Sequence, residues 1–300
     1  MRDPLTKRIQ SIAAGLDGTM GVYIRAVTTG EEIALNADRP FQMASVFKIP
    51  ILAELLSQAH ARQRSLDDRI TLTNEMKVPG SGVLKELSAG TPLTVRDLAT
   101  LMIIVSDNTA TDILLGLVTK EAVNGRLRAC GLERTTVAMS CRELLNDLVG
   151  LGGAPDTPEN RQVAVERLKR RELDPNSRAY RDERANTTTP REMATLLGHV
   201  LRPTLDGGSA PGPLPPDVCR QMLDIMRRQQ VRDRLPLLLA PAVDLAHKTG
   251  SVSRISNDAG ILYAPKSPCI VSVFSRDLAD DLKGRMAIAQ VGQAVYEAYS

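Results

Sequence analysis

The 300-residue chain has no tryptophan, three phenylalanines and five tyrosines, so aromatics make up only 3% of it. A surface that stacks nucleobases needs aromatic rings, and there are too few here to build one. Charge imbalance is also missing. Lys and Arg number 38 against 35 Asp and Glu, for a formal net charge of +3, and the two signs alternate, unlike the basic footprint of a nucleic-acid binder. No run of 18 apolar residues occurs, which excludes a membrane-spanning helix. The opening "MRDPLTKRIQSIAAGLDG" has neither the apolar stretch nor the cleavage site of a secretion signal. A cytoplasmic location is expected, or a periplasmic or secreted one if a signal was removed from the chain.

Cysteine is scarce. Cys130, Cys141, Cys219 and Cys269 are widely separated and form no C-x-x-C pair, so buried structural thiols are expected rather than a zinc or redox site. His60, His199 and His247 are scattered and suggest no metal cluster. No metal and no cofactor are expected. What remains is 43% hydrophobic and 24% charged, the balance of a soluble globular protein. A chain of this length buries a core without a disulfide framework. The expected partner is a small-molecule substrate, with no nucleic acid and no membrane, and the expected state is a monomer.

Along the chain, "LTKRIQSIAAGL" has helical spacing. "TMGVYIRAVTTGEEIALN" reads as two strands joined by a turn at Thr28 to Glu31, with Gly30 as the turn residue. A helix opening at Ser45 is expected over "SVFKIPILAELLSQAHA". Pro50, about a turn inside it, predicts a kink or a lost hydrogen bond. Thr94 and Asp97 have capping-box spacing ahead of the apolar run "LATLMIIV". A second helix, "NTATDILLGLV", resumes after a break at Ser106 and Asp107. "TKEAVNGRLRACGL" is a third, ending at Gly131. From Asp156 to Arg184 there are eight basic and seven acidic side chains, the signature of a solvated insertion, here "NRQVAVERLKRREL" as a charged helix. "TTTPREMATLLGHVL" returns to a buried helix with Pro190 near its start, and "RPTLDGGSAPGPLPPD" is linker-like. Three strands, "AVDLAHKTGSV", "NDAGILYAP" and "SPCIVSVFSR", precede a closing amphipathic helix.

Strands thus sit at both ends with helices between. The expected fold is α/β (α+β): a mainly antiparallel sheet built from both chain ends, flanked by terminal helices, with an inserted all-helical lobe. One catalytic domain would span 1–300. Its sheet lobe would be about 1–44 plus 243–300, and its helical lobe about 45–242, with the unusual charged insertion at 147–185. Clefts between such lobes favour ligands.

Three short motifs carry the chemistry. In Ser45-Val46-Phe47-Lys48, positions i and i+3 share a helix face, so the amine reaches the hydroxyl. A serine at a helix start feels the positive end of the dipole, and a desolvated lysine acts as a base near neutral pH. Ser106-Asp107-Asn108 offers a proton-relaying hydroxyl and an amide able to hold a substrate carbonyl, with Asp107 a structural hydrogen-bonder. Lys248-Thr249-Gly250 lies in a predicted strand. Its lysine suits an anionic substrate, its threonine donates a hydroxyl, and Gly250 lets a substrate backbone approach the strand edge. S-x-x-K alone arises about once by chance in such a chain. All three motifs in this order arise in less than about one chain in a few hundred. Arg254, shortly after K-T-G, is a candidate for a substrate carboxylate, or equally a solvated strand-end arginine.

With "FQMASVFKIPIL", "TPLTVRDLATLMIIVSDNTATDILL", "TTTPREMATLL" and "HKTGSV", these motifs make the chain resemble the class A β-lactamase family of penicillin-recognising serine hydrolases. The resemblance implies the two-lobed fold with the site between the lobes. It implies Ser45 as the acylated nucleophile, Lys48 as its proton partner, and Ser106 and Lys248 as a relay to the leaving group. Asn108 and Thr249 would hold the substrate, and the N–H groups of Ser45 and Ser251 would form the oxyanion hole. The family's hydrolytic glutamate, in R-x-E-x-x-L-N, has no in-register match: Arg142 occupies its place in "SCRELLND". The candidates are Glu143, one residue off, and Glu172 in "RRELDPN". The resemblance implies a β-lactamase acting through an acyl-enzyme. An esterase or D,D-peptidase with the same serine and lysine, or a module acylated once and held, are the alternatives.

Overall fold

The structure is a computed structural model, and it describes residues 2–181, 185–205 and 213–300. Much of the linker expected between Arg202 and Asp217, and three residues of the insertion, fall outside these ranges. Helix α1 (Arg2–Ala14) leads into strands β1 (Thr19–Ala26) and β2 (Glu32–Leu35). Their turn closes where Gly30 takes a φ of +70°, a conformation that costs glycine little. After β3 (Phe41–Gln42), a 3₁₀ turn (Ala44–Phe47) runs straight into α2 (Lys48–His60). A short hairpin pairs β4 (Arg69–Thr71) with β5 (Pro92–Thr94). Helices α3 (Val95–Ile104), α4 (Asn108–Val118), α5 (Lys120–Ala129) and α6 (Cys141–Leu148) follow. The insertion carries α7 (Pro158–Arg170) and α8 (Arg178–Arg181), and β6 (Thr187–Thr188) pairs back to β3. Then come α9 (Pro190–Leu205), α10 (Pro216–Arg227), strands β7 (Leu245–Val252), β8 (Ile255–Tyr263) and β9 (Pro268–Arg276), and α11 (Asp281–Ala298).

The five long strands form one antiparallel sheet in the order β2-β1-β9-β8-β7, so strands from both chain ends interleave and β7 is an edge. Period-2 alternation divides β1 and β9 between two cores. Met20, Val22, Ile24, Val271 and Val273 face a layer that includes Ile9 of α1 and Ile288 and Val291 of α11. Tyr23, Ile270 and Phe274 face the helical lobe, with Met193, Leu197 and Val200 of α9. Helix α2 lies in the middle of that lobe, with ten consecutive buried residues from Lys48 to Ser57. The Thr94–Asp97 capping box forms in full at the start of α3. All four cysteines are free and buried. No described helix is long and apolar enough to cross a membrane.

Three details depart from the sequence reading. Ser45 lies in the 3₁₀ turn, and Lys48 is the first residue of α2. Pro50 is the third, where an N–H has no acceptor within its own helix, so no bond of α2 is lost. The charged helix ends at Arg170, followed by left-handed Arg171 (φ +57°), and Glu172 lies just beyond it. The solvated character of the insertion holds for α7, where Ala164 is its one buried residue. The flanks of the insertion pack onto α6: Ala179 joins Leu144 and Leu148, with Leu173, Tyr180 and Val252 at the margin. Tyr180 Oη donates to Ser253 O at 3.3 Å, tying the insertion to the β7–β8 hairpin.

Candidate active site

The 3₁₀ turn that carries Ser45 is held from three sides. Asn257 of β8 donates to Gln42 O (2.8 Å) and Met43 O (3.1 Å). Gln42 Oε1 accepts from Ala44 N at 3.1 Å, and Met43 N donates to Asn186 O at 2.8 Å. Ala44 is forced to a φ of +44°, which a residue with a Cβ holds only at a cost of about 1–3 kcal/mol. In a 3₁₀ turn, residues three apart eclipse one another, so Lys48 stays on the face of Ser45 that the sequence predicted.

Lys48 is wholly buried. Its Nζ meets Ser106 O at 2.8 Å, Asn108 Oδ1 at 2.9 Å and Ser106 Oγ at 3.1 Å. From the sheet side, Lys248, also wholly buried, meets the same Ser106 Oγ at 3.0 Å and Thr249 O at 2.7 Å. One hydroxyl therefore bridges two lysines from different lobes. Burial lowers the pKa of both. For Lys48, the charges of Cys141, Asp112 and Asp107 oppose the shift. For Lys248, the positive charges of Lys48 and Arg234 deepen it, to well below the usual value. Two ammonium groups on one buried hydroxyl repel strongly, so the arrangement favours at least one neutral amine.

Ser106 is placed by strain and by a cap. Its φ is +56°. Asp107 next to it is buried and caps α4 through Ala110 N (2.9 Å), while its other oxygen accepts from Val83 N (2.6 Å) and Leu84 N (2.9 Å). Asp107 is thus a structural hydrogen-bonder, as its sequence context suggested. Asn108 completes the cluster and donates to Pro79 O at 2.9 Å. On the other wall, a Cβ on Gly250 would lie 2.6 Å from Met43 O and 3.1 Å from Ser45 N. Glycine there lets the edge strand β7 close against the backbone of the serine.

The remaining candidates separate. Arg254 occupies the β7–β8 turn, is exposed, and donates its N–H to Asp281 at the start of α11. The arginine beside Lys248 is Arg234, 2% exposed, whose guanidinium donates to Ser251 Oγ. Glu143 forms the capping box of α6 with Ser140 and holds Lys120 Nζ at 2.5 Å. Glu172 is exposed and lies 3.8 Å from Arg170. Neither glutamate bonds to a residue of the lysine cluster, among the described residues. The first turn of α6 brings Cys141 to Lys48 instead, with Asp112 of α4 accepting from Cys141 N (2.6 Å) and Arg142 N (2.9 Å). His247 is buried, with Nδ1 2.9 Å from Asp258 Oδ1. Asp112 sits one helical turn beyond Asn108, a spacing visible in the sequence. Arg234 lies in an arginine-rich loop with nothing to single it out.

A serine on a strained turn, two buried lysines sharing one hydroxyl, and a glycine-bearing sheet edge closing against it define a two-lobed serine hydrolase of the penicillin-recognising kind. The chain belongs to the β-lactamase enzyme family, whose sequence profile matches residues 4–299. The β-lactamase regulatory protein BlaB of Streptomyces cacaoi is 26% identical over 258 residues, 83% of this chain and 80% of that protein. β-Lactamase L2 of Stenotrophomonas maltophilia is 32% identical over 185 residues, 61% and 50% of the two chains. Among solved structures, a β-lactamase from Sphaerobacter thermophilus superposes with a TM-score of 0.79 at 28% identity, covering 100% and 98% of the two chains. An ancestral class A β-lactamase gives 0.76 at 28% identity, covering 98% and 100%. PBP-A gives 0.76 at 25%, covering 99% and 96%. By family and fold the chain is a serine β-lactamase-like hydrolase.

Proposed function

We propose that Ser45 is the acylated nucleophile of a class A-type site and that neutral Lys48 takes its proton. The observation that carries this is the bridge of Lys48 and Lys248 through Ser106 Oγ, at 3.1 and 3.0 Å. It supplies a base beside the serine and a path by which the proton passes to a leaving nitrogen, from Lys48 through Ser106, with Lys248 holding the relay. Asn108 and Thr249 hold the substrate, and the N–H groups of Ser45 and Ser251 receive the developing oxyanion. Buried Arg234, next to Lys248 and Ser251, adds positive charge for a substrate carboxylate. The substrate class is a β-lactam, with an activated ester as the chemical alternative.

The positions of Glu143 and Glu172 favour a second reading of the last step. Hydrolysing an acyl-enzyme needs a base within hydrogen-bond reach of the attacking water, and both glutamates are engaged elsewhere. Acylation then outruns deacylation, and the acyl-enzyme accumulates, as in an acylated sensor or a slow D,D-peptidase. Stopped-flow nitrocefin hydrolysis with intact-mass detection tests both readings. A stoichiometric burst with a covalent adduct is expected. Multiple rapid turnovers without an adduct would overturn the slow-deacylation reading, and no reaction with either a lactam or an activated ester would overturn the assignment of Ser45.

A further inference from the structure

We propose that Asp112, rather than Glu143 or Glu172, is the carboxylate that sets the protonation state of Lys48, and with it the pH range in which Ser45 is acylated. The inference rests on the reading of Ser45 and Lys48 given above. Asp112 is a positioning residue that acts through the lysine.

The geometry is built on α4. Asn108 and Asp112 are four residues apart and share a helix face, and Asn108 Oδ1 holds Lys48 Nζ at 2.9 Å. The carboxylate of Asp112 is fixed by Cys141 N on one oxygen and Arg142 N on the other. It therefore lies at the positive end of α6, where an anion is favoured. A carboxylate has about four lone-pair positions, so two N–H bonds leave it acceptor capacity.

The groups around Lys48 come from four elements. Lys248 of β7 approaches through Ser106. Asp107 lies behind Ser106, with its oxygens accepting three backbone N–H groups. The Cys141 thiol of α6 is buried and its pKa pushed up by that burial, which keeps it neutral. Asp112 is the carboxylate left to answer the charge of Lys48. Asp112 is itself faced by Lys48, Ser140, Cys141 and Arg142. Its burial raises its pKa, while the two N–H donors, Ser140 and Lys48 lower it. An anion here favours the ammonium form of Lys48 and partly cancels the effect of burial. The acid limb of acylation, which reports loss of the neutral amine, should then sit higher than the lysine alone would place it.

The test is the pH dependence of the acylation rate constant, measured by stopped flow with a fluorescent penicillin on the full chain. Asp112→Asn should move the acid limb down by about one pH unit, the low end of the effect of one nearby opposite charge. Asp112→Glu should leave it within about 0.3 unit of wild type. If Asp112→Asn does not fold, Asp112→Ser, whose hydroxyl still accepts one N–H, serves the same comparison. A merely structural role would lower Tm in the neutral variants without moving the limb. An unmoved limb, or one moved upward, overturns the proposal while leaving Ser45 as the nucleophile. Failure of the wild type to form an adduct at any pH would remove the Ser45 reading and this inference with it.

Discussion

Ser106 is where two lysines from opposite lobes meet, and the energetics of the site follow from that meeting. A lysine whose folded pKa is depressed binds fewer protons folded than unfolded, between its folded value and its ordinary 10.5. Unfolding free energy therefore rises with pH across that window. The cost of burying Lys48 is fully present below its folded pKa and vanishes as pH approaches the ordinary value. Lys48→Met, which keeps the volume and removes the charge, should raise Tm at neutral pH. A Tm difference that shrinks toward alkaline pH in thermal melts is the expected signature. A Tm drop at neutral pH would mean the lysine is a net stabiliser. The same class of substitution should cost function: Lys48→Ala is expected to slow acylation by about 10²- to 10⁴-fold, and a rate within about threefold of wild type would assign the base to another group. For the glutamates, Glu143→Gln and Glu172→Gln should leave the rate of adduct decay unchanged. Trapping of the adduct by either one would return that residue to the chemistry.

Among the elements, the 3₁₀ turn and β7 fit so closely that one methyl group decides their registry. Gly250→Ala would drive a Cβ into Met43 O and Ser45 N, both backbone atoms with little room to yield. A displacement of about 1 Å at the nucleophile costs about 10²-fold in rate. Kinetics should show that loss while circular dichroism shows a retained fold, and an unchanged acylation rate would contradict the tight closure of the cleft. Asp107→Ala strips three backbone donors of their acceptor, and should lower stability by about 2–4 kcal/mol, measured by urea unfolding. The helices and the long strands were legible because their patterning is local: the Thr94–Asp97 box, the alternation in β1 and the apolar runs of α3 and α4. Helix α6 was harder. Ser140 and Glu143 have capping-box spacing, and that signal competed with the family's glutamate loop; the structure shows Glu143 in the cap. Strands β3 and β6, two residues each, are too short to show a period.

At the scale of the whole molecule, the site exists only because distant parts of the chain converge on it. Ser45, Ser106 and Lys248 were legible because each belongs to a short motif with its own chemistry. Asp112, Cys141 and Arg234 were not, because their placement depends on packing of α4 against α6 and of a loop against β7, which no local spacing encodes. The two lysines illustrate the same point. Their residue type suggested a base and an anion-binding charge, but their shared hydroxyl is a property of the closed lobes. The insertion from 147 to 185 adds a layer over α6 and reaches the β7–β8 hairpin through Tyr180.

The central claim, that this cleft acylates Ser45, is tested most directly by intact-mass and peptide mapping after exposure to benzylpenicillin. The account predicts one adduct per chain, carried on the peptide containing Ser45 and absent in Ser45→Ala. An adduct that survives in Ser45→Ala, or that maps to any other residue, would contradict it.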